Sequence, residues 1–577
     1  MRHKQLLLVA VLAVGCTDRT SVSAGDASPP APLKFPADSS SGNRDASSRA
    51  DASSRDATAS DAPPAALTIA VAPNLMTPAF SPAIHDYYVR CGTGMNALTV
   101  SMSAPRGGTV ALLQPTTTPA VASRTMTVKV PEDGAIVVNA ALGFGAEQFW
   151  IRCIPHDFPW LSMSLHPNAG TPTPGYYLVG NTFLAPHESG YAMVLDGNGT
   201  PVWYGATSTG GGPKAVDVLD SNTISFSPLS GYTFGNSEGS FEIHSLDPVN
   251  VHDVAPAGLP LDTHELRRLP NGDYLMFAAP VVTGLNLTGL TMYSGRDEAI
   301  LDCVIQEVES DGSLVWQWDA LDHFDPVQDC TWPQLGAATN TAGKTVSVVD
   351  PFHCNSIDVD PSGNLLVSAR HMDTLFLVSK ATGQVLWKMG GSTYNKDGAP
   401  YIHVVDDPLN GFYRQHDARF QPDGTITVFD DETARRGPAR GLRLSYDVDA
   451  GTAEIVWQYS GVSTSAAMGS VTILPDGSHV IGWGIPAGGS PAFTELDTAR
   501  NDLLDFYFTD GDTSYRALKV PLSALSIDTL RAAVGPWSSV VAPSDAGVVA
   551  VTDAGLDAND ADAAMDAGVA DATADGY

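Results

Sequence analysis

Three histidines precede three look-alike turns in the middle of the chain, and their spacing suggests chemistry. His264 stands five residues before Leu269-Pro270-Asn271-Gly272, His353 seven before Asp360-Pro361-Ser362-Gly363, and His416 five before Gln421-Pro422-Asp423-Gly424. All three offsets are odd, so on strands with a two-residue period the imidazoles share one face. The hairpin through Pro361 returns the chain so that Arg370 or His371 lies opposite His353, a glycine bulge deciding which. Asn355, two residues beyond His353, joins the same face. Three imidazoles suggest a metal first, because neutral imidazole is a common ligand. Arg370 would repel a cation, however, and no carboxylate shares the predicted face to offset it. An anion suits the set better, since a guanidinium fork and an amide donor match a tetrahedral oxyanion. No metal and no cofactor is therefore expected. The following unit has Gly469 at the corresponding place, which predicts open volume where a substrate enters.

A repeat must position these residues. The stretch 351–391 contains one whole unit, with strands predicted at 355–359, 365–368, 374–378 and 384–388 around the tight turn at Pro361. The same turn returns as Leu474-Pro475-Asp476-Gly477. Between the turns, Gly199, Gly312, Gly383 and Gly451 precede Trp203, Trp316, Trp387 and Trp457, aromatics expected to pack between units. Segments carrying the pattern begin near Tyr176, Lys214, His264, His353, His416 and Met468. Six four-stranded meanders predict an all-β, six-bladed β-propeller over 158–537. Ahead of it, 66–157 alternates apolar and polar residues, as in Leu67-Thr68-Ile69-Ala70-Val71, and predicts a small β-sandwich with no chemical constellation.

The elements His353-Cys354-Asn355-Ser356-Ile357-Asp358, Ser368-Ala369-Arg370-His371 and Arg414-Gln415-His416-Asp417-Ala418-Arg419, followed by Phe429-Asp430, resemble those of the bacterial arylsulfotransferases, or aryl-sulfate sulfotransferases. The resemblance covers most of the predicted propeller and weakens before His264. A β-sandwich ahead of a six-bladed propeller is also similar to that family's architecture. The resemblance implies transfer of a sulfuryl group from a phenolic sulfate donor to a phenol acceptor, without the nucleotide donor PAPS, by a ping-pong route through a sulfohistidine. It matches His416 to the nucleophile, His264, His353 and Arg370 to other active-site positions, and Asn355 to a substrate-binding position. Either His264 or His353 would serve as general acid. One departure is that no cysteine pair flanks His416. Two other readings use the same site: a hydrolase that passes the group to water, and a non-catalytic surface propeller that binds an anionic aromatic or protein ligand. A Cys-x-Pro-x-Arg sulfatase element and a Gly-rich phosphate loop are both absent from the sequence.

The ends of the chain bear on location. Arg2, His3 and Lys4 precede an apolar run over 6–14, too short for a stable span, so 1–15 reads as a signal peptide. Small residues just before Cys16 resemble a lipobox, which predicts an exported cell-envelope lipoprotein attached to the membrane through a lipid on Cys16. Residues 16–65 are Ser-, Ala-, Asp- and Pro-rich and predict a disordered tether, and 538–577 an acidic disordered tail. The formal net charge of -33 argues against a nucleic-acid partner. In an exported chain the six cysteines invite pairing. Cys91 and Cys153 end similar strands and are expected to pair. Cys303 and Cys330 are expected to pair across an insertion, leaving Cys354 as a buried thiol beside His353.

Overall fold

The computed structural model describes residues 66–534 except 144, 183–188, 208–211, 229–238, 291–298, 341, 436 and 463. The expected signal peptide, Cys16, the tether and the acidic tail lie outside the described residues. Among those residues the fold is all-β, its α-helices being the single turn Ala320–His323 and the short Ile527–Ala532. No helix among them is long and apolar enough to cross a membrane.

Two sheets form the N-terminal part. Thr68–Ala72, Met95–Ser103 and Ser123–Pro131 make one, and Asp86–Arg90, Gly145–Ile154, Ala135–Leu142 and Thr109–Gln114 the other. Alternation turns Ile69 and Val71, Leu98 and Val100, and Val128 and Val130 inward, where they meet Val89, Leu112, Ile136, Val138, Phe149 and Ile151 in one core. Burying each such side chain stabilises the fold by about 1.5–3 kcal/mol. A disulfide between Cys91 and Cys153, with Cα atoms 5.5 Å apart, joins the ends of the two parallel strands Asp86–Arg90 and Gly145–Ile154.

Six antiparallel four-stranded units follow. Lys214–Asp220, Thr223–Ser227, Phe241–Leu246 and Val249–Val254 form one, and Leu261–Arg268, Tyr274–Ala278, Val304–Val308 and Leu314–Asp319 the next. Two more are joined through Tyr401–Val405 into a nine-stranded sheet. Its opposite edges are Cys354–Val359, which leads Leu365–Ala369, Thr374–Val378 and Val385–Gly390, and His416–Phe420, which leads Ile426–Asp430, Arg440–Asp447 and Thr452–Tyr459. Ser470–Ile473, His479–Gly482, Phe493–Leu496 and Asp502–Phe508 form a further unit, to which Leu161–Leu165 adds a fifth strand.

The unit that begins at Tyr176 differs from the reading of the sequence. Its edge strand comes from the far end of the chain: Leu518–Val520 pairs with Tyr176–Gly180, which is followed by Tyr191–Leu195 and Pro201–Ala206. This pairing carries Tyr515 and Arg516 in among the other edge strands.

The repeated turns share one geometry. The amide N–H groups of Gly272, Gly363, Gly424 and Gly477 each donate to the carbonyl three residues back at 2.8–2.9 Å, and all four glycines have φ between +83° and +96°. Glycine adopts this left-handed conformation without a Cβ penalty, which is why the turn sequence recurs. Trp387 fills the space between two units, touching the core that holds Leu366 and Leu377 of one and Ala418 and Val428 of the other.

The second disulfide departs from expectation. Cys303 bonds to Cys354, with Cα atoms 6.0 Å apart, and Cys330 is the free thiol among the described residues. Backbone hydrogen bonds explain the difference. The amides of Thr331 and Trp332 both donate to the carbonyl of His371, at 2.8 and 3.1 Å, which holds the Cys330 segment against the Arg370–Met372 turn. Cys354 instead points into the apolar cluster shared with Cys303, Phe277 and Ile305. Its side chain therefore does lie on the face away from the histidines, but as half of a disulfide.

Candidate active site

The strands that lead their units put their first residues together. His264 lies within Leu261–Arg268, His353 just ahead of Cys354–Val359, and His416 opens His416–Phe420. The rings of His264 and His353 are 4.8 Å apart, centroid to centroid, and that of His371 is 4.3 Å from His353. The Tyr515 ring bridges the cluster, 5.8 Å from His264 and 6.4 Å from His416. Each strand slips register near its histidine: between Asp262 and Leu266, between Cys354 and Ser356, and between His416 and Arg419. Such bulges re-aim side chains that a regular ladder would hold flat.

Contrary to the expectation from the sequence, carboxylates reach all three imidazoles. Asp262 is hydrogen-bonded to Nδ1 of His264, Asp350 to Nδ1 of His353 at 2.5 Å, and Asp431 to Nδ1 of His416 at 2.7 Å. Asp262 also accepts from the backbone N–H of His264, and Asp350 from that of His353. Two of these carboxylates lie off the leading strands. Asp350 ends the insertion strand Thr345–Asp350, and Asp431 lies one residue past Ile426–Asp430, so neither was in view.

Hydrogen bonding assigns the tautomer of His416. The N–H of Met468 donates to its Nε2 at 3.3 Å, which requires a lone pair there. The proton therefore lies on Nδ1, toward Asp431. Burial pushes the His416 imidazole well below its ordinary range, helped by the positive charge of Arg370 and by His264, His353 and Arg516. Burial also pushes the Asp431 carboxyl up, with the Arg370 guanidinium opposing. The outcome is a neutral imidazole, 2% exposed, with an unprotonated Nε2. His264 is likewise held low, first by burial, with Asp262 opposing.

Arg370 and His371 both lie beside His353, in the turn Arg370–Met372 that closes the hairpin. The amide of Arg370 donates to the His353 carbonyl at 2.9 Å. Its guanidinium donates to Nε2 of His371 at 3.0 Å and to the Ala466 carbonyl at 3.0 Å, while Nε is buried without a partner. No carboxylate lies within ion-pair distance of this guanidinium among the described residues. Asn355 is fully buried, and its amide donates to the carbonyl of Gln415 at 2.7 Å, so it braces the residue before His416.

A second charged layer adjoins the cluster. Arg516 donates to both carboxylate oxygens of Glu265, at 3.1 and 2.9 Å, and Arg419 bonds to Glu265 and Asp417. Burial opposes ionisation of Glu265, yet the Arg419 and Arg516 guanidiniums hold it down at about 2. Two carboxylates balance two guanidiniums in this layer, whereas Arg370 has no carboxylate within ion-pair distance among the described residues. The Asp-x-His spacing at 262–264 was the one available sign of the carboxylate partners. Nothing in the sequence pattern marked Tyr515 and Arg516, because their place depends on the closing strand.

Asp350, His353 and His371 bring potential ligand atoms within 4.8 Å of one another. Their nitrogens are already engaged: Nδ1 of His371 donates to the Asp350 carbonyl at 2.6 Å, and its Nε2 accepts from Arg370. A guanidinium in contact with this group makes it a poor cation site. Gly469 does not leave open volume either. A Cβ there would meet the ring of Phe429 at 2.3 Å, because that ring occupies the space.

Acid-backed histidines beside an arginine with no ion-pair partner among the described residues make a cluster suited to an anionic group. Residues 241–499 match the sequence model described as arylsulfotransferase (ASST), so that segment is similar to the arylsulfotransferase family. His264, His353, Asn355, Arg370, His416 and Asp431 all fall inside the match. No curated protein matches the chain. Among solved structures, a protein of unknown function from Bacteroides caccae is similar at 14% identity, covering 60% of this chain and 99% of that one, with a TM-score of 0.37. Virginiamycin B lyase from Staphylococcus aureus is similar at 9% identity over 60% and 88% of the two chains, TM-score 0.29. AztD from Citrobacter koseri is similar at 12% identity over 60% and 99%, TM-score 0.29. Likenesses at this level carry no argument about fold or function.

Proposed function

We propose that the chain is a PAPS-independent aryl-sulfate sulfotransferase, that its six four-stranded units are the blades of a β-propeller over 158–537, and that the paired sheets of 66–157 are a β-sandwich. The observation that carries the activity is the state of His416: Nδ1–H held by Asp431, Nε2 unprotonated, and the ring neutral beside Arg370.

Each group then has a task. Nε2 of His416 attacks the sulfur of a phenolic sulfate, the N–S bond forms, and the S–O bond to the aryl oxygen breaks. Charge on the sulfuryl oxygens is met by Arg370, in a site whose donors are fixed before reaction. The leaving phenolate takes a proton from Nε2 of whichever of His264 and His353 carries the imidazolium, its Nδ1–H held by Asp262 or Asp350 as the third member of a catalytic triad holds its histidine. Asp431 stabilises the positive charge that develops on His416 as the N–S bond forms. In the second half-reaction a phenol loses its proton to the same histidine, its oxygen attacks sulfur, and the N–S bond breaks. Two covalent steps with one enzyme intermediate give ping-pong kinetics. The near-complete burial of His416 favours a phenol over water as acceptor.

The signal-like N-terminus and the residues before Cys16 support an exported lipoprotein as the setting. The test of the activity is release of 4-nitrophenol from 4-nitrophenyl sulfate with phenol as acceptor. Phenol-dependent release with parallel lines in double-reciprocal plots is expected. Release that is indifferent to phenol would point to a hydrolase, and no release over a panel of aryl sulfates would reject the transferase.

A further inference from the structure

Lys214 occupies in its unit the place that His416 occupies in its own. Each residue opens the leading strand, Lys214–Asp220 or His416–Phe420, and each pairs with a residue near the end of the second strand, Ser227 or Phe429. Each is followed by a non-glycine residue of positive φ, Ala215 at 49° and Asp417 at 56°, and then by a slip in register. The same backbone device therefore re-aims both side chains. The leading strand of the Lys214 unit also packs beside Leu261–Arg268, the strand that carries His264.

The surroundings of this lysine are unusual for a structural cation. Lys214 is 7% exposed, and its ammonium makes one long contact, 3.5 Å to Oγ1 of Thr263. No carboxylate lies within ion-pair distance of it among the described residues. Across the ladder, the Ser227 hydroxyl is fully buried and has no hydrogen-bond partner among those residues. Every other lysine buried to this degree has a carboxylate: Asp329 at 2.5 Å for Lys388 and Glu495 at 2.6 Å for Lys519. An unpaired buried ammonium is costly: burial pushes the Lys214 pKa down, with Asp262 opposing, and an arriving anion would offset that cost. The Lys214 charge is also felt at His264, so the group lies within electrostatic reach of the cluster.

We infer that Lys214 is a further substrate-binding residue, whose ammonium binds the anionic sulfuryl end of the donor ester together with Arg370. The assignment rests on the sulfuryl-transfer reading for the identity of the ligand, but the anion site itself does not. Lys214 lies outside the segment that matches the family model.

The test uses the full chain and inorganic sulfate as probe, followed by titration calorimetry, with Lys214→Met and Lys214→Arg beside the unaltered protein. Sulfate is expected to bind the unaltered protein, to bind Lys214→Met roughly 10- to 100-fold more weakly, the loss of one charged hydrogen bond, and to be largely retained by Lys214→Arg. Thermal melting separates this role from a structural one. Removal of an unpaired buried charge should leave the melting temperature of Lys214→Met unchanged or raised, and a clear fall would assign Lys214 to the fold and overturn the inference. Sulfate binding equal in Lys214→Met and the unaltered chain, or absent from the unaltered chain, would also overturn it. Lys214-dependent sulfate binding in a chain that transfers no sulfuryl group would uphold the anion site and reject the transferase reading.

Discussion

Between Leu67 and Cys153 the buried side chains are apolar with one exception, Arg152, whereas the leading strands of the later units bury Asp262, His264, Glu265, Asn355, His416 and Asp417, and the turn Arg370–Met372 adds Arg370 and His371. In the first region the core follows from alternation, and a disulfide is its only cross-link. In the second, each buried polar atom needs a partner from another strand, and the partners come from the insertion, the turns and the far end of the chain. The first arrangement gives stability that tolerates volume-conserving change. The second gives fixed tautomers and fixed charge, at a cost in desolvation that the surrounding apolar clusters offset.

The comparison is broken most severely at Asp431. Asp431→Asn keeps the shape of the site but offers an amide to Nδ1 of His416 in place of a carboxylate, so the proton is no longer directed there. Turnover should fall by about 10³- to 10⁴-fold, by analogy with loss of the orienting aspartate in a catalytic triad, while the melting temperature stays near that of the unaltered chain. Steady-state rates beside a melting curve check both halves. In the N-terminal region the reverse is expected. Phe149→Ala removes a fully buried ring and should cost about 3–5 kcal/mol of local stability, read by denaturant unfolding, with the rate per folded molecule unchanged. A large loss of turnover from Phe149→Ala, at temperatures where the variant is folded, would dissolve the contrast.

Part of the second region was legible in the sequence. The four proline–glycine turns gave the hairpins, and the rings of His264, His353 and His416 do come together, but each strand slips register between its histidine and its turn, so the odd offsets alone do not account for it. Arg370 and His371 both proved adjacent to His353, because the short turn they form presents two consecutive residues. Two of the carboxylates were missed since Asp350 belongs to the insertion strand Thr345–Asp350 and Asp431 lies one residue past Ile426–Asp430, so neither is on a leading strand. The pairing of Cys354 with Cys303 was missed because the fold of the insertion, not spacing, decides which cysteine is held away. Tyr515 and Arg516 enter through Leu518–Val520, a strand that is three residues long and becomes recognisable only once it pairs with Tyr176–Gly180.

A smaller effect separates the two regions by pH. His264, His371 and His416 are all held below the ordinary imidazole value, burial being the first cause in each, and His479 lies at about 4 for the same reason. Below about pH 6.5 the unfolded chain takes up protons at these residues that the folded chain does not, so stability falls as pH falls through that value. The N-terminal core contains no such histidine. Acid should therefore loosen the later units first, and hydrogen exchange at pH 5 against pH 7 should show faster exchange around His416 than around Phe149. The acidic limb of turnover should also lie below the ordinary imidazole value, because His416 stays unprotonated there.

The central claim is that Nε2 of His416 takes the sulfuryl group. The direct measurement is to mix the protein with 4-nitrophenyl sulfate in the absence of phenol, quench under alkaline conditions that preserve a sulfonated imidazole, and locate the adduct by mass spectrometry of peptides. The account predicts a sulfo group on the peptide containing His416, discharged by added phenol and absent from His416→Ala. Rapid phenol-dependent transfer with no adduct at His416, or an adduct that persists in His416→Ala, would contradict it.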